Sequence, residues 1–423
     1  MISRCLSTLL AILFASLSLV PFASAQDKFK LKPGAKGKIC LTCHQDFREK
    51  MKRPFIHTPV KSGNCSDCHD PHAARHGKLL SAEPAKICLG CHDGIAPPDS
   101  HSTHKVASSG NCIQCHDPHA ANYKFNLRTA GNGLCFGCHK DIAEAVRSNK
   151  YKHILATKDC LTCHDSHSSS KAPFLLKDDV PGICIKCHDP KRSIFANQHM
   201  NYPVEKSRCT SCHAPHGSNK AGILLENAHS PVVRKMCNQC HQDPGQPASL
   251  KLKRDGIALC RGCHSDSVGE ILGKNRMHWP LADKTACLNC HSPHASKQAS
   301  LLSGPMKNVC GGCHADTIER QTKAKSKHKP VEEGDCTQCH SPHAANNMLL
   351  FDNVSTLGIC GKCHEWQKHS SHPIGEKVAD PRNRNISLDC LSCHRSHGTD
   401  QKHFTHSDPK MDLCVTCHQK YKR

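Results

Sequence analysis

Two thiols three residues apart, followed at once by an imidazole, are the groups a chain needs to hold an iron porphyrin covalently. The thiols can form thioether bonds to vinyl groups of the macrocycle, and the histidine can become an axial ligand of the iron. C-x-x-C-H is accordingly the attachment signal of c-type haem. This pentapeptide occurs sixteen times in 423 residues. In chain order the groups are Cys40, Cys43 and His44; Cys65, Cys68 and His69; Cys88, Cys91 and His92; Cys112, Cys115 and His116; Cys135, Cys138 and His139; Cys160, Cys163 and His164; Cys184, Cys187 and His188; Cys209, Cys212 and His213. They continue with Cys237, Cys240 and His241; Cys260, Cys263 and His264; Cys287, Cys290 and His291; Cys310, Cys313 and His314; Cys336, Cys339 and His340; Cys360, Cys363 and His364; Cys390, Cys393 and His394; Cys414, Cys417 and His418. Only Cys5 of the thirty-three cysteines is left over. A zinc site needs four ligands per metal and has no use for a histidine after every second cysteine. A disulfide framework explains paired cysteines but not that histidine. Sixteen covalently attached haem c groups are therefore expected, each with its motif histidine as proximal iron ligand.

The second axial ligand decides what such irons can do. Of thirty-six histidines, twenty lie outside the motifs. Seven trail a motif by three residues: His72, His119, His167, His216, His294, His343 and His397. Nine precede a motif: His57, His104, His153, His199, His229, His278, His328, His372 and His406. Together they number one for every iron. A trailing histidine is too near its own motif to reach the opposite face of that haem. It is expected to serve another haem and so tie neighbouring units together. His101, His369 and His403 each stand three residues before a chosen histidine and are alternatives to it, and His76 is spare. His372 lies eighteen residues from Cys390, outside the usual interval. The methionines keep no regular offset from the motifs and read as packing side chains.

The elements that position these groups must be short. Cysteines at i and i+3 share one face of a helical turn, and His at i+4 lies beside them. The first-cysteine positions 40, 65, 88, 112, 135, 160, 184 and 209 advance by 23 to 25 residues. Above that spacing lies a two-motif repeat of about forty-eight residues, a period typical of stacked arrays. Its first member follows phrases such as Ala85-Lys86-Ile87-Cys88 or Pro181-Gly182-Ile183-Cys184. A helix-compatible run comes next, such as 141–150 or 315–325, then a histidine and the second motif. The second motif continues as Cys-His-x-Pro-His, often with a later Leu-Leu pair such as Leu79-Leu80, Leu175-Leu176, Leu301-Leu302 or Leu349-Leu350. Motifs nine and ten both lack the trailing histidine, after which pairing resumes with ten and eleven and leaves the sixteenth unpaired. A soft boundary is expected near residue 228, dividing 26–228 from 229–423 with eight motifs in each.

Composition limits the fold. Eleven Phe, four Tyr and two Trp make a poor conventional core. At about twenty-five residues per motif, the macrocycles themselves must supply most of the buried apolar surface. The expected fold is mostly irregular with short α-helices and little or no β, an elongated array whose core is built from haem. The formal charge of +21 would ordinarily point to nucleic acid or an acidic surface. Losing Arg4 with the signal segment would leave +20; sixteen haems would add roughly thirty-two propionates, and about +1 for each ferric core, leaving the oxidised protein near +4 and the reduced one near −12. The lysines balance propionates, and no nucleic-acid partner is expected. Residues 1–25 read as a signal peptide: Arg4, the apolar stretch Leu6 to Val20, and the small-residue site Ala23-Ser24-Ala25 before Gln26. The stretch is short for a membrane span and none recurs, so no transmembrane segment is expected after signal cleavage.

With doubled motifs such as Cys65-Ser66-Asp67-Cys68-His69-Asp70-Pro71-His72 and Cys336-Thr337-Gln338-Cys339-His340-Ser341-Pro342-His343, the chain resembles the multihaem c-type cytochromes over essentially all of its mature length. The resemblance implies closely spaced, mostly bis-histidine, low-spin haems that pass electrons along a chain. Relatives of this kind include periplasmic carriers, haem conduits inside an outer-membrane β-barrel, and extracellular filament cytochromes. Ser166 and Ser396 replace the proline of two trailing motifs, and the pattern breaks at motifs nine, ten and sixteen. The expectation is an electron carrier of anaerobic respiration or extracellular electron transfer, not an enzyme. It would be periplasmic, outer-membrane-associated or extracellular. Its expected partners are an inner-membrane quinol oxidoreductase and outer-membrane or extracellular cytochromes, with a β-barrel as a further candidate. The competing reading is a multihaem oxidoreductase that reduces nitrogen or sulfur oxyanions at one open-coordination haem. No motif carries the lysine-for-histidine change that sometimes marks such an iron.

Overall fold

The computed structural model describes residues 37–353, 355–368, 372–410 and 412–421. The expected signal segment 1–25 and His369 lie outside them. The chain divides into two units, Met1–Cys138 with His164–Leu175, and His139–Cys163 with Leu176–Arg423. In both, short helical turns alternate with irregular chain and two-stranded ladders, a mostly irregular, little-β fold. Among the described residues no helix is long and apolar enough to cross a membrane.

The sixteen motifs fall into two structural classes. Motifs one, three, five, seven, ten, twelve, fourteen and sixteen begin at or near the end of short α-helices, for example Pro84–Leu89, Met306–Gly311 and Thr356–Cys360. Pro84 stands at the start of its helix, where a missing N–H costs nothing. The other eight lie in single 3-10 turns such as Cys65–Asp67, Cys209–Ser211, Cys237–Gln239 and Cys390–Ser392. Asp159 and Asp389 cap two of these turns by accepting backbone N–H bonds from Leu161 and from Leu391 and Ser392. Both classes fold the pentapeptide as one turn. The histidine N–H donates to the first cysteine's carbonyl, at 2.9 Å for His92 and 3.0 Å for His69.

Each second-class motif is followed by a loop that folds back over it. The Asp70 N–H donates to Leu79 O at 2.8 Å, and Ser81 N–H to Cys68 O at 2.9 Å; Asp117, Ser292 and Ser341 repeat the first bond. At the return, non-glycine residues take up left-handed backbone: Lys78 and Leu79, Phe125 and Asn126, Phe174 and Leu175, Ser300 and Leu301, Leu349 and Leu350, His403 and Phe404. Such a conformation is unfavourable for a side chain with a Cβ and persists only where surrounding bonds fix it. The leucine pairs seen in the sequence mark this return.

In the first unit, β1 (Phe55–Ile56) pairs antiparallel with β3 (Ala120–Ala121), and β2 (Ser102–Thr103) with β4 (Ser168–Ser169). In the second, β5 (Asn227–Ala228) pairs with β7 (Ala295–Ser296), and β6 (Arg276–Met277) with β8 (Ala344–Ala345). Single bridges, Tyr151 to Ser218 and Ser326 to Thr399, repeat the arrangement. Each ladder joins the segment before one preceding histidine to the segment after a trailing histidine more than sixty residues on. Small residues allow the approach: Ala120, Ala121, Ala295, Ala344 and Ala345 are buried. At the two single bridges the residue after the trailing histidine is Gly217 or Gly398, both with positive φ. A Cβ there would come within 2.8 Å of Tyr151 O or 2.9 Å of the Ala324 Cβ.

The helix-compatible runs are helices, α1 (Lys140–Ser148) and α3 (Ala315–Lys323), with α2 (Ser265–Leu272) in the equivalent place after motif ten. α1 and α3 end two residues early because Asn149 and Ala324 turn extended. The long interval between His372 and Cys390 contains a hairpin of β9 (Ala379–Asp380) and β10 (Asn383–Ser387). Asp380 is fully buried there, and Arg382 grips it through two hydrogen bonds of 2.6 and 2.9 Å, holding the carboxyl well below the usual range.

Candidate haem-binding sites

The motif histidines of the second class are oriented by their own loops. Nδ1 lies 2.9 Å from Lys78 O in His69, 2.8 Å from Phe125 O in His116 and 2.8 Å from Gly222 O in His213. The same contact recurs for His164, His241, His291, His340 and His394. A carbonyl at Nδ1 requires that nitrogen to carry the proton, so Nε2 is left as the lone-pair face, the arrangement of a metal-ligating histidine.

Opposite most motif histidines stands a second imidazole. His69 faces His119, His116 faces His167, His241 faces His294, His291 faces His343 and His340 faces His397, with ring centres 5.9 to 6.0 Å apart. His57 faces His92, His153 faces His188, His229 faces His264, His278 faces His314, His328 faces His364 and His372 faces His418, at 5.9 to 6.3 Å. A metal–imidazole bond of about 2 Å on each side, plus roughly 1 Å from each nitrogen to its ring centre, gives about 6 Å. The spacing fits one iron between each pair.

Burial is the largest cause that pushes His119, His153, His167, His294, His328, His343 and His397 below the ordinary imidazole value. These rings are therefore neutral at neutral pH, as a ligand to iron must be. Phe47 packs edge-on against His119 at 4.8 Å.

The ladders explain how opposing rings are placed. The His57 N–H donates to His119 O at 2.8 Å, and His57 Nδ1 lies 2.9 Å from Pro118 O. His104 with His167 and Ser166, His229 with His294 and Pro293, and His278 with His343 and Pro342 repeat both contacts. One ladder thus carries two histidines that face two different motifs. His57 and His119 stand on one ladder but face His92 and His69.

The cysteines alternate along the chain in a matching way. First cysteines of successive motifs lie close together in Cys40 with Cys65, Cys88 with Cys112, Cys260 with Cys287, Cys310 with Cys336 and Cys360 with Cys390. Second cysteines approach the next motif in Cys68 with Cys91, Cys240 with Cys263 and Cys393 with Cys417. The attachment points of these successive motifs lie near one another.

The break in the repeat has a local cause. Motif nine is second-class by its turn and by the His241 to Leu250 O contact at 2.7 Å, so two second-class motifs, eight and nine, stand in succession. His213 of motif eight faces His199 at 6.2 Å with an interplanar angle of 73°. His199 lies just ahead of its own motif, and its Nδ1 is 2.9 Å from Phe195 O. The other facing pairs are nearer parallel, from 15° to 48°. Parallel imidazoles donate into one iron d orbital and split the pair, whereas crossed ones leave it nearly degenerate. The oxidised protein should therefore show a separate, strongly anisotropic low-spin paramagnetic resonance signal from this site. It should vanish in His199→Ala with the remaining low-spin signals unchanged; its persistence would show that His199 is not the ligand.

Two sequence-chosen histidines are not set against a motif histidine among the described residues. His72 is 91% exposed in its side chain, beside Asp70 at 3.9 Å. His406 points Nε2 at Leu391 O, 2.8 Å away. An equal count of histidines and irons therefore does not translate into one facing pair per motif. His216 stands in the turn before the Tyr151–Ser218 bridge. Of the alternatives, His76 is 3.1 Å from Glu83, and His403 forms part of the left-handed return after motif fifteen.

The doubled CXXCH motif family matches residues 57–97, 104–144, 153–193, 201–228, 229–269, 278–319, 328–369 and 385–423. No curated protein matches the chain. Six of the matched segments begin on a preceding histidine, and all but 201–228 join a second-class motif to the following first-class one. This phasing corrects the one read from the sequence: it leaves motif one outside, isolates motif eight, and pairs motif sixteen with motif fifteen. The ladder histidines and the alternating loops define that unit physically.

Proposed function

The chain belongs to the doubled CXXCH motif family and is a multihaem c-type cytochrome with covalently bound haem c at about sixteen sites, and on that premise we propose that it transfers electrons along a series of mostly bis-histidine, low-spin haems. Haem iron carries one electron per site by cycling between ferric and ferrous states. The facing imidazole pairs carry the reading. A ring on each side leaves an iron no open position for substrate, and histidine without methionine keeps potentials low. Half-buried imidazoles, many of them held by a carbonyl at Nδ1, keep one geometry through the redox change, so little reorganisation accompanies each transfer. Closely placed attachment points support short steps between neighbours.

The signal-like residues 1–25 support export, and hence a periplasmic, outer-membrane-associated or extracellular place in anaerobic respiration or extracellular electron transfer. Redox proteins would then be the partners, an inner-membrane quinol oxidoreductase as donor and an outer-membrane or extracellular cytochrome as acceptor. A conduit role would require a β-barrel from another chain.

Protein-film voltammetry tests the carrier reading against the enzyme reading. The expected result is a broad, reversible, low-potential envelope integrating to about sixteen electrons per chain, unchanged by nitrite, hydroxylamine or tetrathionate. A catalytic wave with any of these would replace the carrier by the reductase.

A further inference from the structure

His44, in the first motif, differs from the motif histidines set in facing pairs. Its side chain is exposed, and no imidazole faces it among the described residues. The reason lies in how opposing rings are supplied. A first-class motif histidine receives its partner from 35 or 36 residues upstream in His57 to His92, His153 to His188, His229 to His264, His278 to His314 and His328 to His364. The forty-three residues before His44 contain no histidine at all.

The nearest downstream donors are not set against it among the described residues. A trailing histidine faces a motif 50 or more residues upstream, as His119 faces His69 and His294 faces His241. His72 is the trailing histidine of motif two, and by that rule its acceptor would precede the first motif. It is held in a tight turn, its N–H donating to Asp70 Oδ1 at 3.0 Å, with its ring in solvent. His76 pairs with Glu83, Lys50 approaches Asp117 at 3.7 Å, and Lys52 pairs with Glu49 at 2.6 Å.

Motif one is nevertheless built into the fold. Cys40 lies close to Cys65 of motif two. Gly37, with φ of 74°, lies so close to Gly63 that a Cβ would come within 2.8 Å of the Gly63 Cα. An iron there would be fixed beside the second site.

We propose that the iron held through His44 has a distal face that this chain leaves open, making it a binding site for a small π-accepting ligand such as carbon monoxide or nitric oxide. The inference rests on the cytochrome reading, since it requires haem at motif one. It concerns ligand binding, with the second site close by to supply electrons.

Carbon monoxide titration of the dithionite-reduced, full-length holoprotein tests it, with haem counted per chain by mass spectrometry. One equivalent of carbon monoxide per chain is expected, along with one high-spin ferric signal in the oxidised protein. Cys40→Ala/Cys43→Ala should lose one haem and that equivalent together. Uptake that survives in this variant would place the open iron elsewhere and overturn the proposal. No uptake by a protein carrying sixteen haems would overturn it and leave the cytochrome reading intact. A native chain lacking haem at motif one would instead break the reading beneath it. Should the double variant fail to accumulate, His72→Ala decides: uptake gained only in that variant would identify His72 as the ligand and overturn the proposal.

Discussion

Made without haem attachment, the chain will show no cooperative unfolding transition. A net stability of about 5–15 kcal/mol corresponds to only roughly 200–600 Å² of apolar surface at about 25 cal/mol per Å², so the burial of a few large side chains decides whether a chain folds. What the polypeptide buries is mostly small: Ala120, Ala143, Ala172, Ala286 and Ala295 are among its most enclosed apolar residues. Its larger apolar side chains stand out, with Phe125 71%, Phe174 73% and Leu349 63% exposed. These three lie at the left-handed return over second-class motifs, where a macrocycle on the motif would cover them. Without that cover, the unfavourable backbone at Phe125, Phe174 and Leu349 has little to hold it. Far- and near-ultraviolet circular dichroism of chain made in a host without the attachment machinery should drift with denaturant, and amide exchange should be fast throughout. Coincident sigmoidal transitions by both signals would refute this and show a polypeptide core that the burial pattern does not contain.

Much of this molecule is legible in its sequence, because thioether attachment demands a contiguous pentapeptide. The sixteen motifs, the cofactor and the short-helix, irregular fold all follow from that demand. The trailing and preceding histidines also stand out, because their offsets recur. Which ring faces which motif is hidden, because ladders such as Ile56 with Ala120 decide it across more than sixty residues. Thus His57 precedes Cys65 in sequence yet faces His92, and only His199 among the described facing pairs turns to the motif immediately after it. The repeat phase is misread for the same reason. Spacing alone permits units of motifs three and four, while the ladder histidines bind motifs two and three into one matched segment. The leucine pairs are visible as a pattern, but no residue type announces the left-handed turn at these positions or the carbonyl it aims at the motif histidine. Counting histidines failed at the chain's first motif because a count carries no direction. Ligands to first-class motifs come from upstream, and His44 has none upstream.

Replacing His294 with alanine should convert one low-spin site to high-spin and create one additional carbon monoxide equivalent. His294 faces His241 at 5.9 Å with the rings 17° from parallel, and burial keeps it neutral. Its backbone carbonyl, not its side chain, accepts the His229 N–H at 2.9 Å, and the ladder of β5 with β7 is likewise main-chain. His294→Ala therefore removes one ring while leaving His229 opposite His264. The ladder-mate variant His229→Ala should open the iron at His264 instead, again by one equivalent. Together they should open two, because the rings face different motifs although they share a ladder. Each loss should also raise the potential of its own site, since one strong donor to ferric iron is gone. Counting high-spin signal and carbon monoxide uptake against the unmodified protein checks all three variants. If His294→Ala opened the iron at His264, or if the two effects failed to add, the ladder would not assign its histidines as the facing rings indicate. If neither variant changed the spin state, these imidazoles would not be iron ligands, and the closed, conducting character proposed for most of the sites would lose its support.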